Sequence, residues 1–454
     1  MNRREFFKAG TALSLAASST APGTETVSPG QARQNFDIDP RRQQAAEKKI
    51  AADREAALGI LKPTPKQLEH GLELHANSLV VESYGFSPRA AVDGTALTRA
   101  HEAGASDVEL ADLRKEMSMT RCVHDRGERT EYMTAWKASG VTCILQNAGE
   151  EGNAIDRLIK RLARFTYVTD RMREFVSKAV TPDDIVQAGK QNRHCLYLSG
   201  NGIPLPQRWA SVEDELRYIR VFYQLGWRMA HLTYNRRNPI GEGCGESADA
   251  GLSDFGKAVV KEMNRVGMLV DVAHTGWQSC LDAAKASDQP VVASHSACWA
   301  LNKHYRCKTD AVIRALADTD GYLGICCIPR FLGGKGDISV MMDHIDYVAK
   351  KFGVERLAIG TDVAYSSTAS AAENRKAPKL RAQRAGWEHL WPDPDPTSLP
   401  EGPDARSQRS MAWTNWPLFT VGLVQRGYCD DDILKIIGGN VLRVARAVFP
   451  NRKP

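Results

Sequence analysis

Eight short apolar runs alternate with segments of helical periodicity over roughly 300 residues, and they predict an α/β fold closed into a TIM-type (β/α)8 barrel. The runs are nearly continuous in apolar residues, which is typical of parallel strands covered on both faces. No glycine-rich fingerprint follows the first run, so a closed barrel is favoured over an open doubly wound sheet. The predicted strands cover residues 78–85, 141–148, 194–200, 228–235, 268–275, 290–297, 321–328 and 357–363.

The segments between these runs carry apolar residues at helical spacing. The clearest one, at residues 253–267, opens on Ser253, which can cap a helix, and closes on Gly267, which favours a left-handed helix end. Further predicted helices cover residues 155–177, 212–225, 277–285, 309–318 and 339–352, and amphipathic patterns at 417–427 and 431–444 close the chain.

Composition divides the chain into three parts. Residues 1–30 contain paired arginines followed by a weakly apolar stretch, a pattern that resembles a twin-arginine export signal. Residues 31–64 are polar and charged, and we expect a linker with a surface helix there. Residues 65–450 hold the predicted barrel. Its long connections at 86–128 and 364–410 leave the carboxyl ends of strands and are expected to overhang a site there.

Composition also excludes several classes of protein. The 454 residues are 43% apolar and 25% charged, which allows a large core. The net charge of +6 is spread along the chain, so nucleic acid is not an expected partner. The N-terminal apolar stretch is shorter than the roughly 20 residues of a membrane span, so no transmembrane anchor is expected. The ten cysteines form no CxxC pairs and should be mostly buried thiols. The expected location is the periplasm, or an equivalent extracytoplasmic space, of a bacterium.

Polar residues stand where the predicted strands end. His274 and His295 end consecutive strands, so both imidazoles should face the same mouth of the barrel. Neutral imidazoles and a carboxylate are suitable ligands for zinc, and an aspartate beside a bound water can accept its proton. The sequence therefore indicates a metal site at this mouth. The strand-end residues are Tyr84, Asn147, Ser199, Tyr234, His274, His295 and Asp362, with Arg306 in the loop after the sixth strand.

These residues lie in motifs that resemble the membrane dipeptidase family, peptidase family M19. The resemblance implies a metallo-dependent hydrolase-like barrel with paired zinc ions at its mouth and dipeptidase activity. It also implies a catalytic role for Asp362 and a substrate-carboxylate role for Arg306. The similar segments lie between residues 75 and 448 and include Leu-Ser-Asp-Phe-Gly-Lys at 252–257, Val-Asp-Val-Ala-His at 270–274, Ser-His-Ser-Ala at 294–297, Ile-Gly-Thr-Asp at 359–362 and Ile-Gly-Gly-Asn-Val-Leu-Arg at 437–443.

The sequence departs from the family around the first of the two metals. The family's His-x-Asp pair at the end of the first strand is replaced by Tyr84-Gly-Phe86, and its bridging glutamate falls at Leu198-Ser199-Gly200. The family's substrate-binding histidine is replaced by Tyr234. We therefore expect the first metal position to be empty, and Tyr84 and Tyr234 to contact substrate instead.

The second metal position keeps His274 and His295 but lacks its carboxylate. Catalytic zinc normally has three protein ligands, so the sequence predicts at most one zinc ion, and no ion is the alternative. Asp362 could supply the third ligand, although it would then be less free to act as a base.

Other side chains could replace lost ligands. Glu82 shares strand parity with Tyr84 and is expected to point into the barrel, in a supporting or core role below the mouth. His124 or Asp125 could reach over from the first long connection. His231 has the opposite parity to Tyr234 and is expected to face the helices.

The leading hypothesis is an exported dipeptidase-like metallohydrolase that cleaves a small peptide or amide. The alternative is a catalytically inactive barrel that binds a peptide or amino-acid-like ligand. A third hypothesis is a hydrolase or lyase with a rebuilt site. The expected partner is thus a small peptide or amino-acid-like ligand. The oligomeric state is open, and a homodimer is one candidate.

Overall fold

The computed structural model describes residues 36–149, 154–205, 207–208, 210–380 and 404–449. The export signal predicted at 1–30 and residues 381–403 of the second long connection lie outside these ranges, so the expectations about them stay predictions. In the part of the chain that the structure describes, no helix is long and apolar enough to cross a membrane.

All the paired strands run parallel, in two sheets ordered β1-β2-β4-β3 and β5-β6-β7-β8-β9. Each predicted run contains one strand, and β3 is an additional strand beside the lower half of β4. The strands are β1 (Val81–Gly85), β2 (Cys143–Asn147), β3 (Val176–Ala179), β4 (His194–Ser199), β5 (Met229–His231), β6 (Leu269–Asp271), β7 (Val291–Ser296), β8 (Leu323–Ile325) and β9 (Leu357–Ile359).

Backbone hydrogen bonds join the edges of the two sheets. Arg228 N at the start of β5 donates to Leu198 O of β4 at 2.8 Å, and Asp362 N after β9 donates to Tyr84 O of β1 at 3.3 Å. The eight predicted strands therefore follow one another around a (β/α)8 barrel, which confirms the predicted fold class. Their carboxyl ends meet at one mouth.

The helices alternate with these strands and cover the barrel. Their bounds are α1 (Pro40–Leu61), α2 (Pro65–Ala76), α3 (Gly94–Glu102), α4 (Asp107–His124), α5 (Arg126–Ser139), α6 (Ile155–Arg171), α7 (Pro182–Lys190), α8 (Val212–Gln224), α9 (Asp254–Val266), α10 (Trp277–Ala286), α11 (Asp310–Asp318), α12 (Pro329–Leu332), α13 (Ile338–Phe352), α14 (Ser370–Lys376), α15 (Ala405–Ser410), α16 (Trp416–Gln425), α17 (Asp430–Leu434) and α18 (Asn440–Val448).

Helix α9 shows how closely local sequence determines these elements. The Ser253 hydroxyl accepts a hydrogen bond from Gly256 N at 2.9 Å, a cap that typically stabilises a helix by about 1 kcal/mol. Gly267 ends the helix with φ of 85°, a conformation that costs a glycine little. Both predicted ends are confirmed.

Two predicted segments differ from the structure. The helix predicted at 155–177 ends at Arg171, and the chain then forms β3. The polar connection at 86–128 is largely helical, since it contains α3 and α4 and ends at the start of α5. Capping side chains explain the second difference, because Asp93 caps α3 and Ser106 forms a capping box on α4.

Helix α1, in the segment expected to be a polar linker with a surface helix, packs firmly on the barrel domain. Arg42 pairs with the buried carboxylates of Glu128 and Glu131 of α5, at 2.5 and 2.8 Å. A stripe at helical spacing is buried beneath it, comprising Ala46, Ile50, Asp53, Ala57 and Leu61. The segment is therefore an integral layer of the domain, with small residues where close packing is needed.

The ten cysteines confirm the expectation of buried thiols. All are free, and Cys429 alone among them is exposed.

The backbones of β2 and β4 nearly touch just beyond their carboxyl ends. A Cβ added to Gly200 would lie 2.4 Å from Gly149 Cα and 2.5 Å from Gly149 N. Backbone atoms cannot move aside as a flexible side chain can, so only glycine fits at this point. This contact also occupies the region where the resemblance places a bridging glutamate.

We predict that Gly200→Ala lowers the free energy of unfolding by roughly 3 kcal/mol or more, because the methyl group would force the two strand ends apart. Gly104→Ala is the control. Its Cβ would meet no atom within 4 Å, so only the strain of its φ of 96° remains, at about 1 kcal/mol. Urea unfolding followed by circular dichroism measures both, and equal losses would contradict the account.

Candidate active site

Three imidazoles and one carboxylate gather at the carboxyl ends of β5, β6 and β7. The ring centroids of His231, His274 and His295 lie 5.0–5.2 Å from one another. Asp271 ends β6, and ligand atoms of His231, Asp271 and His295 lie within 4.8 Å of one another. All four side chains are buried. The structure thus brings together the predicted His274 and His295 and adds two residues that sequence reasoning did not assign.

The expectation that His231 faces the helices is wrong. Strand β5 ends at His231 itself, and the chain bends before Tyr234, so parity does not carry from one residue to the other. The imidazole points into the barrel, where its centroid is 5.2 Å from that of Tyr84. A three-residue strand followed by a bend is too short to show a periodic pattern, so the sequence does not indicate the direction of the His231 side chain.

Hydrogen bonds fix the tautomer of His274. Its Nδ1 lies 2.8 Å from Asn235 Oδ1, and an amide oxygen only accepts, so Nδ1 carries the proton. The lone pair on Nε2 then faces His295 Nε2 at 3.0 Å and Arg306 Nη2 at 3.2 Å. Ser294 Oγ lies 2.9 Å from His295 Nδ1 and orients that ring. Both Nε2 atoms therefore point at one shared position.

His231 and Asp271 form a buried contact at the ends of β5 and β6. Asp271 Oδ1 accepts from Ala273 N at 2.9 Å and Ser294 N at 3.0 Å. Asp271 Oδ2 lies 2.6 Å from His231 Nε2, and neither atom has another partner among the described residues. His231 Nδ1 has no partner among them at all. A buried polar atom without a partner costs about 1–3 kcal/mol, so a cation bound to this group would be favoured.

Arg306 lies against the same cluster and is 1% exposed. Its guanidinium donates to Ala273 O and, at 3.2 Å, to His295 O. Its Nε has no partner in the described part of the chain. The side chain is thus a fixed cation at the mouth, and its Nε–H is among the donors that remain free for a ligand.

Burial and the charge of Arg306 keep the imidazoles of His274 and His295 neutral. Burial first, and then the charge of Arg306, hold the pKa of both His274 and His295 well below the usual value for histidine. Neutral imidazole is the form that binds a metal ion.

Two tyrosines cover the imidazoles. The Tyr84 ring stacks on His295 with centroids 3.8 Å apart, and its hydroxyl donates to Asn201 Oδ1 at 2.5 Å. Tyr84 is fully buried, so it forms a wall of the cluster. Tyr234 stacks on His274 at 4.3 Å and is only partly buried, which places it nearer the solvent side of the mouth.

Asp362 stands after β9 in a strained conformation. Its φ of 59° is in the left-handed region, where an aspartate is uncommon and which often marks a functional residue. Burial raises the pKa of its carboxyl to about 6, against the opposing charges of Arg306, Arg89 and Arg330. The group of residues within mutual ligand reach is His231, Asp271 and His295, and it includes neither His274 nor Asp362.

Cationic side chains lie on the side of the mouth where the resemblance places the first metal of the family. A cavity of about 170 Å³ adjoins the ends of β1 and β2 and is lined by Phe86, Gln146, Arg89, Lys115 and Arg161, among others. The charge of Arg161 reaches Tyr84, and that of Arg89 reaches Asp362. Positive charge at these positions disfavours a second metal ion.

The remaining candidates lie elsewhere or serve the backbone. His124 is exposed and contacts Tyr167, while Asp125 caps α5 and pairs with Arg121. Asn147 Oδ1 accepts from Gly149 N, and Ser199 Oγ donates to Leu145 O.

Glu82 does not point into the barrel as its parity predicts. An irregularity in β1 between Glu82 and Gly85 shifts the register, and the buried carboxylate bonds Thr361 and Trp413 instead. Its core role is confirmed.

The donor set fits zinc. Imidazole nitrogens and one carboxylate oxygen are its ordinary ligands, and three protein ligands are usual for catalytic zinc. His231 and Asp271, which lie within ligand reach of His295, offer the further donors that His274 and His295 alone lack.

Comparisons with known proteins agree with the geometry. The sequence profile described as membrane dipeptidase (peptidase family M19) matches residues 99–389, more than half of the chain. Dipeptidase tcpJ of Claviceps purpurea (strain 20.1) is 26% identical over 285 residues, which are 62% of this chain and 56% of that protein. The chain thus matches little more than half the length of this relative.

Solved structures show the same fold. An amidohydrolase from Pseudomonas aeruginosa is 23% identical with a TM-score of 0.60, over 84% of this chain and 99% of that one. The probable dipeptidase PvdM from Pseudomonas aeruginosa is 18% identical with a TM-score of 0.57, over 85% and 99%. The sequence match begins at residue 99, after β1 and Tyr84. The chain belongs to the membrane dipeptidase family, peptidase family M19.

Proposed function

We propose that this chain is an exported hydrolase that cleaves small peptides or amides with a single zinc ion. The observation that carries the proposal is the buried group of His231, Asp271 and His295 within mutual ligand reach, with His274 beside His295 and Arg306. Export is supported by the paired arginines near the N-terminus. The substrate class is supported by dipeptidase tcpJ, whose name states that activity.

The zinc ligands in this proposal are His274 and His295, completed by His231 and Asp271. The close approach of the two Nε2 atoms, at 3.0 Å, supports the histidine pair. The contact between His231 Nε2 and Asp271 Oδ2, within ligand reach of His295, supports the other two ligands. Zinc bound there supplies Lewis acidity that polarises a carbonyl group.

The surrounding residues bind the substrate and move the proton. Arg306 holds the terminal carboxylate of a dipeptide through its remaining donor, because guanidinium binds carboxylates by charge-assisted hydrogen bonds. Asp362 accepts the proton of the attacking water and passes it to the departing amine. Tyr234 packs against the substrate at the mouth, and Tyr84 holds His295 in place from behind.

A barrel that binds a peptide or amino-acid-like ligand without cleaving it is the second candidate function. One observation favours it. Tyr84 stacks on His295 on the side where the resemblance places the first metal. Such a protein would keep Arg306 and lose turnover.

Zinc content tests the proposed ligands. Purified protein loaded with zinc and desalted should hold about one ion per chain by plasma mass spectrometry. His295→Ala should lose nearly all of it, and His231→Ala and Asp271→Asn should each weaken zinc affinity by about 10–100-fold. His124→Ala is the control, since His124 is exposed and distant from the cluster.

The outcome separates the two functions. One zinc ion with dipeptide hydrolysis that is lost in the ligand variants supports the hydrolase. A content near two ions, or full affinity in His231→Ala, would refute the ligand set. Zinc binding or ligand binding without any hydrolysis would favour the binding protein.

The pH dependence of hydrolysis tests Asp362. A base must be ionised to accept a proton, so kcat/KM should fall about tenfold per pH unit below the pKa of about 6 and level off above it. Asp362→Asn should lower kcat by about 10²–10⁴-fold. Asp318→Asn, at an exposed site on α11, is the matched control. A profile that stays flat from pH 4 to 7 in the wild type would rule out this role.

A further inference from the structure

A second cavity lies beyond the carboxyl ends of β8 and β9, between the chain that follows these strands and helices α1 and α15. Its volume is about 310 Å³. Lys49 and Asp53 of α1 and Arg409 of α15 line it, together with an apolar wall that includes Val363, Tyr365 and Trp413. Gln408 and Arg409 are exposed, so the cavity opens to solvent beside them. Its volume suits a ligand smaller than a typical drug molecule.

This cavity is distinct from the candidate active site, although the two share the chain that follows β9. Asp362 faces the charge of Arg306 in the barrel, whereas the next residue, Val363, lines the second cavity. Successive residues after β8 differ in the same way. The charges of Arg306 and Asp362 act on the Cys326 thiol, and Cys327 lines the cavity.

Asp53 is the unusual residue in the wall. It is only 7% exposed, yet no residue in the described ranges donates a hydrogen bond to its carboxylate. The other buried acids of this region, Glu128 and Glu131, are both paired with Arg42. Burial raises the pKa of the Asp53 carboxyl, and the charges of Lys49 and Arg409 oppose that rise. A buried carboxylate that accepts no hydrogen bond is costly, so an ammonium group that donates to it would be stabilised there.

Positive charge lies beside Asp53 in the cavity, because the charges of Lys49 and Arg409 both act on its carboxyl. Lys49 Nζ donates to Ser366 O at 2.5 Å and lies 4.3 Å from the centre of the Tyr365 ring. An ammonium group has three donors, so two remain for a ligand. Arg409 adds a second cation at the rim. The cavity therefore offers an acceptor for a cation and donors for an anion next to each other, with an apolar wall beside them.

We propose that this cavity binds a free α-amino acid with an apolar side chain. Its ammonium group contacts Asp53, its carboxylate contacts Lys49 and Arg409, and its side chain packs on the wall formed by Val363, Tyr365 and Trp413. This assignment rests on the charges and shape of the cavity and does not depend on the proposed hydrolysis.

Isothermal titration calorimetry with L-leucine tests the proposal on the full chain. L-leucine should bind the wild type with one equivalent. L-leucinamide lacks the carboxylate and 4-methylpentanoate lacks the ammonium group, so each should bind at least about tenfold more weakly. Asp53→Asn should weaken L-leucine binding by about tenfold or more. Glu47→Gln, which removes one exposed carboxylate from the same helix, should leave the affinity unchanged.

Two results would overturn the proposal. One is the absence of L-leucine binding to the wild type, or equal affinity for L-leucine and 4-methylpentanoate, a comparison that needs no variant to fold. The other is loss of L-leucine binding in Arg306→Lys with full binding in Asp53→Asn, because that would place the ligand in the candidate active site. Retained binding in Arg306→Lys supports the second cavity.

Discussion

The burial of three imidazoles and one carboxylate at the ends of β5, β6 and β7 constrains the whole mouth of the barrel. Each buried polar atom needs a partner, and the neighbouring residues supply them: Asn235 for His274, Ser294 for His295, and backbone N–H groups for Asp271 Oδ1. Arg306 is held against the cluster by carbonyls of the same strand ends. Among the described residues this network leaves His231 Nδ1 and Arg306 Nε without a partner, and Asp271 Oδ2 has only its contact with His231. The metal site that we propose adds a cation to this otherwise satisfied polar network.

Other groups occupy the side of the mouth where the resemblance places the family's first metal. Tyr84 occupies space beside His295 and bonds Asn201, and the Gly149–Gly200 contact brings two backbones together where a bridging carboxylate would project. The cationic cavity beyond Phe86 adds positive charge on that side. These replacements are mutually consistent, because aromatic packing, close backbone contact and positive charge each disfavour a second cation. These features support the proposal of a single metal ion.

Much of the fold could be predicted from the sequence, because eight apolar runs and the capping residues of helices such as α9 are local signals. The pair His274 and His295 could be predicted for the same reason, since each lies near the carboxyl end of a strand, His274 just beyond β6 and His295 within the last residues of β7. Other features depend on tertiary geometry. His231 was missed because β5 ends at that residue and the following bend breaks strand parity, and Glu82 because an irregularity in β1 shifts its register. The Asp53 cavity joins α1, α15 and two strand ends that are far apart in sequence, so no local pattern reveals it.

The most direct test of the one-metal account is a crystal structure of zinc-loaded protein with anomalous scattering data collected at the zinc edge. One anomalous peak per chain is expected, in contact with His274 and His295 and bordered by His231 and Asp271. Two peaks, or a peak beside Tyr84 and Ser199 away from His231, would contradict it.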